Sequence, residues 1–207
     1  MKKEHPLSAL AAYLPKGSFD LILPFLTDYK VHLTVTRERQ SVLGDYRHPV
    51  AGKGGHRISV NSTLNRYSFL VTLLHEFAHM ITFELYGHSV AAHGKEWKHE
   101  YSKILKSFVG KSLFPPDVEL AIRQSMQNPG ASSCSDEQLM RVLRQYDDKK
   151  ENHYLVEQLP LHQLFKTKDG RIFRRGERIR KRFRCEEVGT SKVYLFSPVY
   201  EVELVEN

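Results

Sequence analysis

The chain has almost no cysteine: of its 207 residues only Cys134 and Cys185 are cysteines, far apart and with no C-x-x-C pair. That scarcity excludes a disulfide framework and a four-cysteine zinc ribbon, and it makes a reducing, cytoplasmic setting the expectation. Long apolar runs are missing too. No stretch approaches the ~20 uninterrupted residues of a membrane span, so no membrane partner is expected. Internal repeats and low-complexity linkers are also absent. The opening "MKKEHPLSALAAYLP" has a basic start, but Leu7, Leu10, Ala11 and Leu14 recur at helical spacing and no cleavage site follows. A short amphipathic helix is expected there in place of a signal peptide.

What is present suffices for one full core, at 41% hydrophobic residues. The formal charge is +7, and it is not spread evenly. Between Phe165 and Arg184 lie ten Lys or Arg and two acids, whereas the rest of the chain is close to neutral.

Periodicity predicts an α+β chain. Helical patterns over 5–14 and 18–29 precede alternating, β-branched segments at 31–36, 43–49 and 56–60, read as a small antiparallel sheet. A long helix is predicted from Arg66 to Tyr86, capped by Asn65 and ended by Gly87; apolar residues cover nearly every face, so it must be largely buried. Further helices are predicted at 94–108, 116–127 and 136–147, the last capped by Ser135 or Asp136. After "DDKKEN" the pattern returns to short strands. The expected organisation is a first domain over 1–150 and a small basic β module over 151–207.

On the buried helix, His75, Glu76 and His79 form H-E-x-x-H. Residues four apart share one helix face about 6 Å apart, so two imidazoles can reach one metal ion while the intervening glutamate projects beside it. Zn2+ is the expected ion, with Glu76 as general base. Burying three such side chains without partners would cost several kcal/mol each by rough transfer estimates, and a metal removes most of that cost. The bland alternative is two core histidines bonded to carbonyls and a structural ion pair at Glu76. A third ligand is needed. The H-E-x-x-H-x-x-G-x-x-H extension fails, since Met80–Tyr86 contains neither glycine nor histidine. His88, His93, Glu96, His99 and Glu100 all remain candidates on spacing, with Gly94 a place for the chain to turn His93 back toward the helix. Trp97 is expected to pack the following helix against this one, and Tyr46, Arg47 and His99 are candidates to stabilise an oxyanion.

"HEFAH", then "HGKEW" thirteen residues later, preceded by "LGDYR", "HRISVN" and "LNRYSFLVTLLHE", resembles the SprT-like metallopeptidase family, which includes the Spartan proteases acting on proteins crosslinked to DNA. The resemblance covers roughly residues 15–110, and "FPPDVELAIRQSM" and "ASSCSDEQLMRVLRQYD" are similar to a bacterial branch. It implies a zincin-like domain, His93 as third zinc ligand and a zinc-dependent endopeptidase. Protein substrates are then expected, with DNA, single-stranded or damaged, as a second partner. It also implies a role in repairing DNA–protein crosslinks. A strand of the sheet, "HRISV" or "GDYRH", is expected to pair with extended substrate. Where many members carry a cysteine zinc ribbon, this C-terminal module holds only Cys185.

In the basic segment, Phe165, Phe173 and Phe183 are expected in the module's core. The cations Arg171, Arg174, Arg175, Arg178, Arg180, Lys181, Arg182 and Arg184 are expected to contact nucleic acid. The competing reading of the whole chain is a nucleic-acid-binding protein with a structural or vestigial zinc site; a third is an exopeptidase with Glu96 or Glu100 as ligand. Cys134 is expected to be an inert buried thiol.

Overall fold

The computed structural model describes residues 6–37, 39, 42–50, 54–127, 136–148 and 151–205. The expectations for Cys134 and for Ser135 as a cap lie outside them. Two compact units emerge, Met1–Asp147 and Asp148–Asn207.

The first unit opens with a 3-10 helix, Leu7–Tyr13, where an α-helix was expected. Pro6 and Pro15 bracket a segment too short to support the costly α nucleus, and a 3-10 coil still buries Leu10. Helix α1 follows at Phe19–Asp28. Strands β1 (His32–Thr36), β2 (Gly44–Arg47) and β3 (Arg57–Asn61) form a sheet in the order β1-β3-β2. It is mixed, not antiparallel: β2 runs antiparallel to β3, but β1 is parallel to it. The chain crosses over to lay down β2 and returns between β1 and β2. Two reversals then leave β3 running in the direction of β1. The central place of β3 also means that "HRISV" has both edges occupied and cannot accept a substrate strand, which leaves "GDYRH" at an edge.

Helix α2 runs over the predicted Arg66–Tyr86. The Asn65 side-chain oxygen accepts from the N–H groups of Tyr67 and Ser68 at 3.0 Å, satisfying two of the orphan donors of the first turn. Gly87 closes the other end at φ +59. Phe69, Leu70, Leu73, Leu74, Phe77 and Met80 are fully buried, each contributing roughly 1.5–3 kcal/mol by area. A helix held this way on all sides cannot drift, so whatever it carries is placed in advance. Helices α3 (Lys95–Phe108), α4 (Pro116–Ser125) and α5 (Glu137–Arg144) complete the unit. Asp136 caps α5 through Leu139 N–H. Among the described residues no helix is long and apolar enough to cross a membrane.

The second unit holds strands β4 (His153–Leu155), β5 (Leu164–Lys166), β6 (Ile172–Ile179), β7 (Arg182–Glu187), β8 (Val193–Phe196) and β9 (Glu201–Leu204) in one antiparallel sheet, order β4-β9-β5-β6-β7-β8. Strand β7 alternates strictly, with Phe183, Cys185 and Glu187 buried and Arg182, Arg184 and Glu186 exposed. Phe165, Phe173 and Phe183 meet Cys185, Val156 and Val202 in the core. Cys185 is thus a packed thiol, its pKa raised by burial.

Candidate metal centre

Inner-face residues of β2 and one face of α2 form a ladder. Strand period places Gly44, Tyr46 and the following His48 on one side. A Cβ on Gly44 would stand 2.5 Å from Glu76 Oε1 and 2.7 Å from Thr72 Cγ2. The Tyr46 ring lies parallel to that of His79, at 4° and 6.3 Å between centroids, and His48 stacks on Phe83 at 4.9 Å. Position 44 is glycine because the glutamate's carboxyl group occupies the space a side chain would take.

His93 comes from the loop before α3. Gly94 N–H bonds to Ala91 C=O at 2.9 Å, closing a tight turn, and the left-handed residue in it is His93 at φ +63. Gly94 itself is extended, at φ −69 and ψ −172, so the turning role expected of it falls to its neighbour. A left-handed histidine costs roughly 1–2 kcal/mol. The turn aims its ring at α2: His79 Nε2 and His93 Nε2 lie 3.2 and 3.3 Å from His75 Nε2. Trp97, fully buried, packs against all three rings at 4.6 to 5.3 Å and backs the cluster.

Electrostatics make this an unstable arrangement unless something positive is added. Burial first, then mutual repulsion, lowers the pKa of His75 and His79, and burial lowers that of His93, so protons are poor occupants. Three neutral imidazoles then gather their Nε2 atoms in one place, where each can offer a lone pair to a cation. Nitrogens about 2.0–2.1 Å from a tetrahedral ion stand roughly 3.3–3.4 Å apart, close to the spacings found here. The ligand atoms of all three lie within 4.8 Å of one another, so the group fits a metal ion. No other group of three metal-ligating side chains occurs among the described residues. His88 lines the cleft apart from the cluster, while exposed His99 and Lys103 pair with buried Glu100. Glu96 lies beside Lys95.

Glu76 stands beside the three rings, 5% exposed. Burial, then Asp45, pushes its pKa up to about 8, with Arg39 opposing. It opens onto a cleft of about 520 Å³, walled by Val42–Tyr46 on one side and Val90–His93 on the other. Of the three residues considered for an oxyanion, only Tyr46 lines this cleft; Arg47 is exposed and paired with Asp45, and His99 lies outside.

Residues 26–122 match the model of the SprT-like family. That segment, just under half of the chain, is similar to the SprT-like family. The match spans the sheet, α2 and α3, and therefore every residue of the cluster. SprT-like domains are associated with metallopeptidase-like proteins, which agrees with the donor set. No curated protein and no solved structure matches the chain. The second unit lies beyond the SprT-like match, and its basic residues divide into two groups. Arg171 is paired with Asp169 and Glu187 and lies over Phe173 and Tyr194, and Arg175 covers Phe183. Arg174, Arg178, Arg180, Lys181, Arg182 and Arg184 are exposed.

One signal that sequence reasoning missed is His56, buried at the start of β3 and bonded to both Tyr46 and Glu84. The two-residue period of 56–60 puts it in phase with buried Ile58 and Val60, the signal that could have found it.

Proposed function

We propose that the protein is a zinc-dependent endopeptidase acting on protein substrates, with DNA-associated or DNA-crosslinked proteins as the physiological class. The observation carrying this reading is the convergence of three imidazoles beside a buried glutamate at the floor of an open cleft. Zinc suits three neutral nitrogen donors, and when bound it supplies a Lewis acid for the scissile carbonyl and lowers the pKa of water toward about 7. His75, His79 and His93 would hold the ion. Its positive charge would favour the ionised form of Glu76 that burial alone disfavours, and Glu76 would then accept the water's proton and return it to the leaving amine.

Substrate binding falls to the edge of β2. Asn61 N–H donates to Leu43 C=O, and the Gly44–Val60 register then turns the N–H and C=O groups of Gly44 and Tyr46 outward. Such groups pair with any extended chain whatever its side chains, which favours broad specificity. Small residues on the opposite wall, Val90, Ala91 and Ala92, impose little selection.

The test is Glu76→Gln, with zinc content and fold checked, against an unfolded basic protein with and without single-stranded DNA. Loss of cleavage with zinc retained supports the endopeptidase; equal cleavage by both proteins sinks it. The competing reading, a nucleic-acid-binding protein with a structural zinc site, is favoured by the β6–β7 hairpin. Pairing to β5 stops at Arg174 and pairing to β8 stops at Phe183, so the tip projects past both neighbours. It carries Arg178, Arg180, Lys181 and Arg182 around an exposed Ile179. On that reading DNA binding survives Glu76→Gln and no cleavage is found in wild type.

A further inference from the structure

Ligand histidines in metal centres usually donate their second ring N–H to an outer acceptor, which fixes the ring's orientation. Here His75 Nδ1 is buried without a hydrogen-bond partner, so that device is missing for the most deeply placed ring. Ring packing takes its place. Trp97 and Tyr101 hold His75, and the Tyr46 ring stands parallel to His79 at 6.3 Å between centroids.

What holds Tyr46 is a chain of hydrogen bonds through a histidine that the proposed chemistry does not use. Tyr46 Oη lies 2.9 Å from His56 Nδ1, and His56 Nε2 lies 3.0 Å from Glu84 Oε1. His56 is buried between Tyr29, Tyr46 and Phe83, while the Glu84 side chain is 43% exposed at the end of α2. With the Glu84 carboxylate accepting, Nε2 carries hydrogen, and in the neutral imidazole Nδ1 then keeps its lone pair and Tyr46 donates its O–H to it. That hydroxyl hydrogen is committed to His56 and is not presented to an oxyanion. Tyr46 therefore acts through the parallel His79 ring beside it.

We propose that Glu84, His56 and Tyr46 form an outer clamp on the metal centre, in which the tethered Tyr46 ring sets the orientation of the His79 imidazole. The clamp joins three elements, since Glu84 follows His79 on α2, His56 precedes β3 and Tyr46 belongs to β2. It rests on the reading of His75, His79 and His93 as metal ligands. Tyr46 is a positioning residue, and the substitution that isolates its tether is Tyr46→Phe, which keeps the ring and removes the hydroxyl.

The test uses the full chain with zinc and cobalt, measuring affinity by chelator competition and ligand geometry by the visible spectrum of the Co2+ form. Tyr46→Phe and Glu84→Ala should each weaken zinc binding about tenfold, at the lower end of the effect of losing an outer-shell partner, and alter the cobalt spectrum. Glu84→Gln, which keeps an acceptor for His56, should restore both. Glu84 is exposed enough that its substitution leaves the fold intact even if changes at Tyr46 do not. A purely structural tie would lower the unfolding midpoint of the metal-free protein but leave affinity and spectrum unchanged, and that result overturns the clamp. Wild-type protein that binds neither metal overturns the ligand reading itself, and the clamp with it.

Discussion

Replacing Gly44 with alanine tests whether the general base is held by the sheet. The new Cβ would stand 2.5 Å from Glu76 Oε1, 3.0 Å from Glu76 Cδ and 2.7 Å from Thr72 Cγ2, whereas ordinary contact begins near 3.4 Å. Close to 1 Å of room must therefore be found. The carboxylate can swing, but Thr72 is β-branched and sits in the middle of a buried helix, so it cannot. Either Glu76 turns away or β2 lifts off α2. Overpacking of this kind costs about 1–3 kcal/mol, a fall of roughly 2–10 °C in Tm for a chain this size. A displacement of about 1 Å at a reacting group costs on the order of 100-fold in rate. The expected result is thus a modest loss of stability and a kcat lower by about 100-fold at saturating zinc, because the atoms crowded by the new Cβ belong to Glu76 and Thr72. The assay pairs steady-state cleavage of an unfolded protein with thermal melts and metal analysis. A Gly44→Ala enzyme with wild-type kcat would refute the argument that β2 positions Glu76.

Two further outcomes follow from charge. In metal-free protein the imidazole of His75 is held neutral by burial, so on acidification the unfolded chain binds a proton that the folded one does not. Stability is undiminished above the unfolded pKa of about 6.5 and falls as pH drops below it, by up to about 1.4 kcal/mol per pH unit for this one group. Buried Glu76, with its raised pKa, adds a slope of opposite sign over the same range, and His79 one of the same sign, so the quantity to read is the difference between wild type and His75→Gln in urea stability from about pH 7.5 to 5.5; identical slopes in the two proteins contradict the burial argument. In the second unit, changing Arg180 and Lys181 to alanine should weaken single-stranded DNA binding and reduce the slope of log K against log salt by roughly 1.4, at about 0.7 per phosphate contact. An unaltered slope places the contacts elsewhere.

Local chemistry made much of the scaffold readable. The predicted span of α2, its Asn65 cap and its Gly87 terminus all follow from short-range rules, and the structure has them at those residues. The inward place of Phe165, Phe173 and Phe183 follows from strand alternation. Other features resisted reading because they depend on residues brought together from a distance. Strand direction in the first sheet turns on the crossover that carries the chain past β3. A histidine in the left-handed region next to a glycine reverses the usual assignment, since propensity alone favours Gly94 for the turn. The need for glycine at 44 exists only because Glu76 approaches from another element.

By itself the sequence determined that a buried helix carries two imidazoles on one face with a carboxylate next to the first, because a 3.6-residue period is a property of the backbone. It likewise confined the positive excess to one segment. Only tertiary structure decided which downstream side chain meets His75 and His79, which edge of the sheet stays open beside them, and that His56 links Glu84 to Tyr46. Those outcomes depend on long-range packing, in which residues 18 to 33 positions apart come within hydrogen-bonding distance or ring contact.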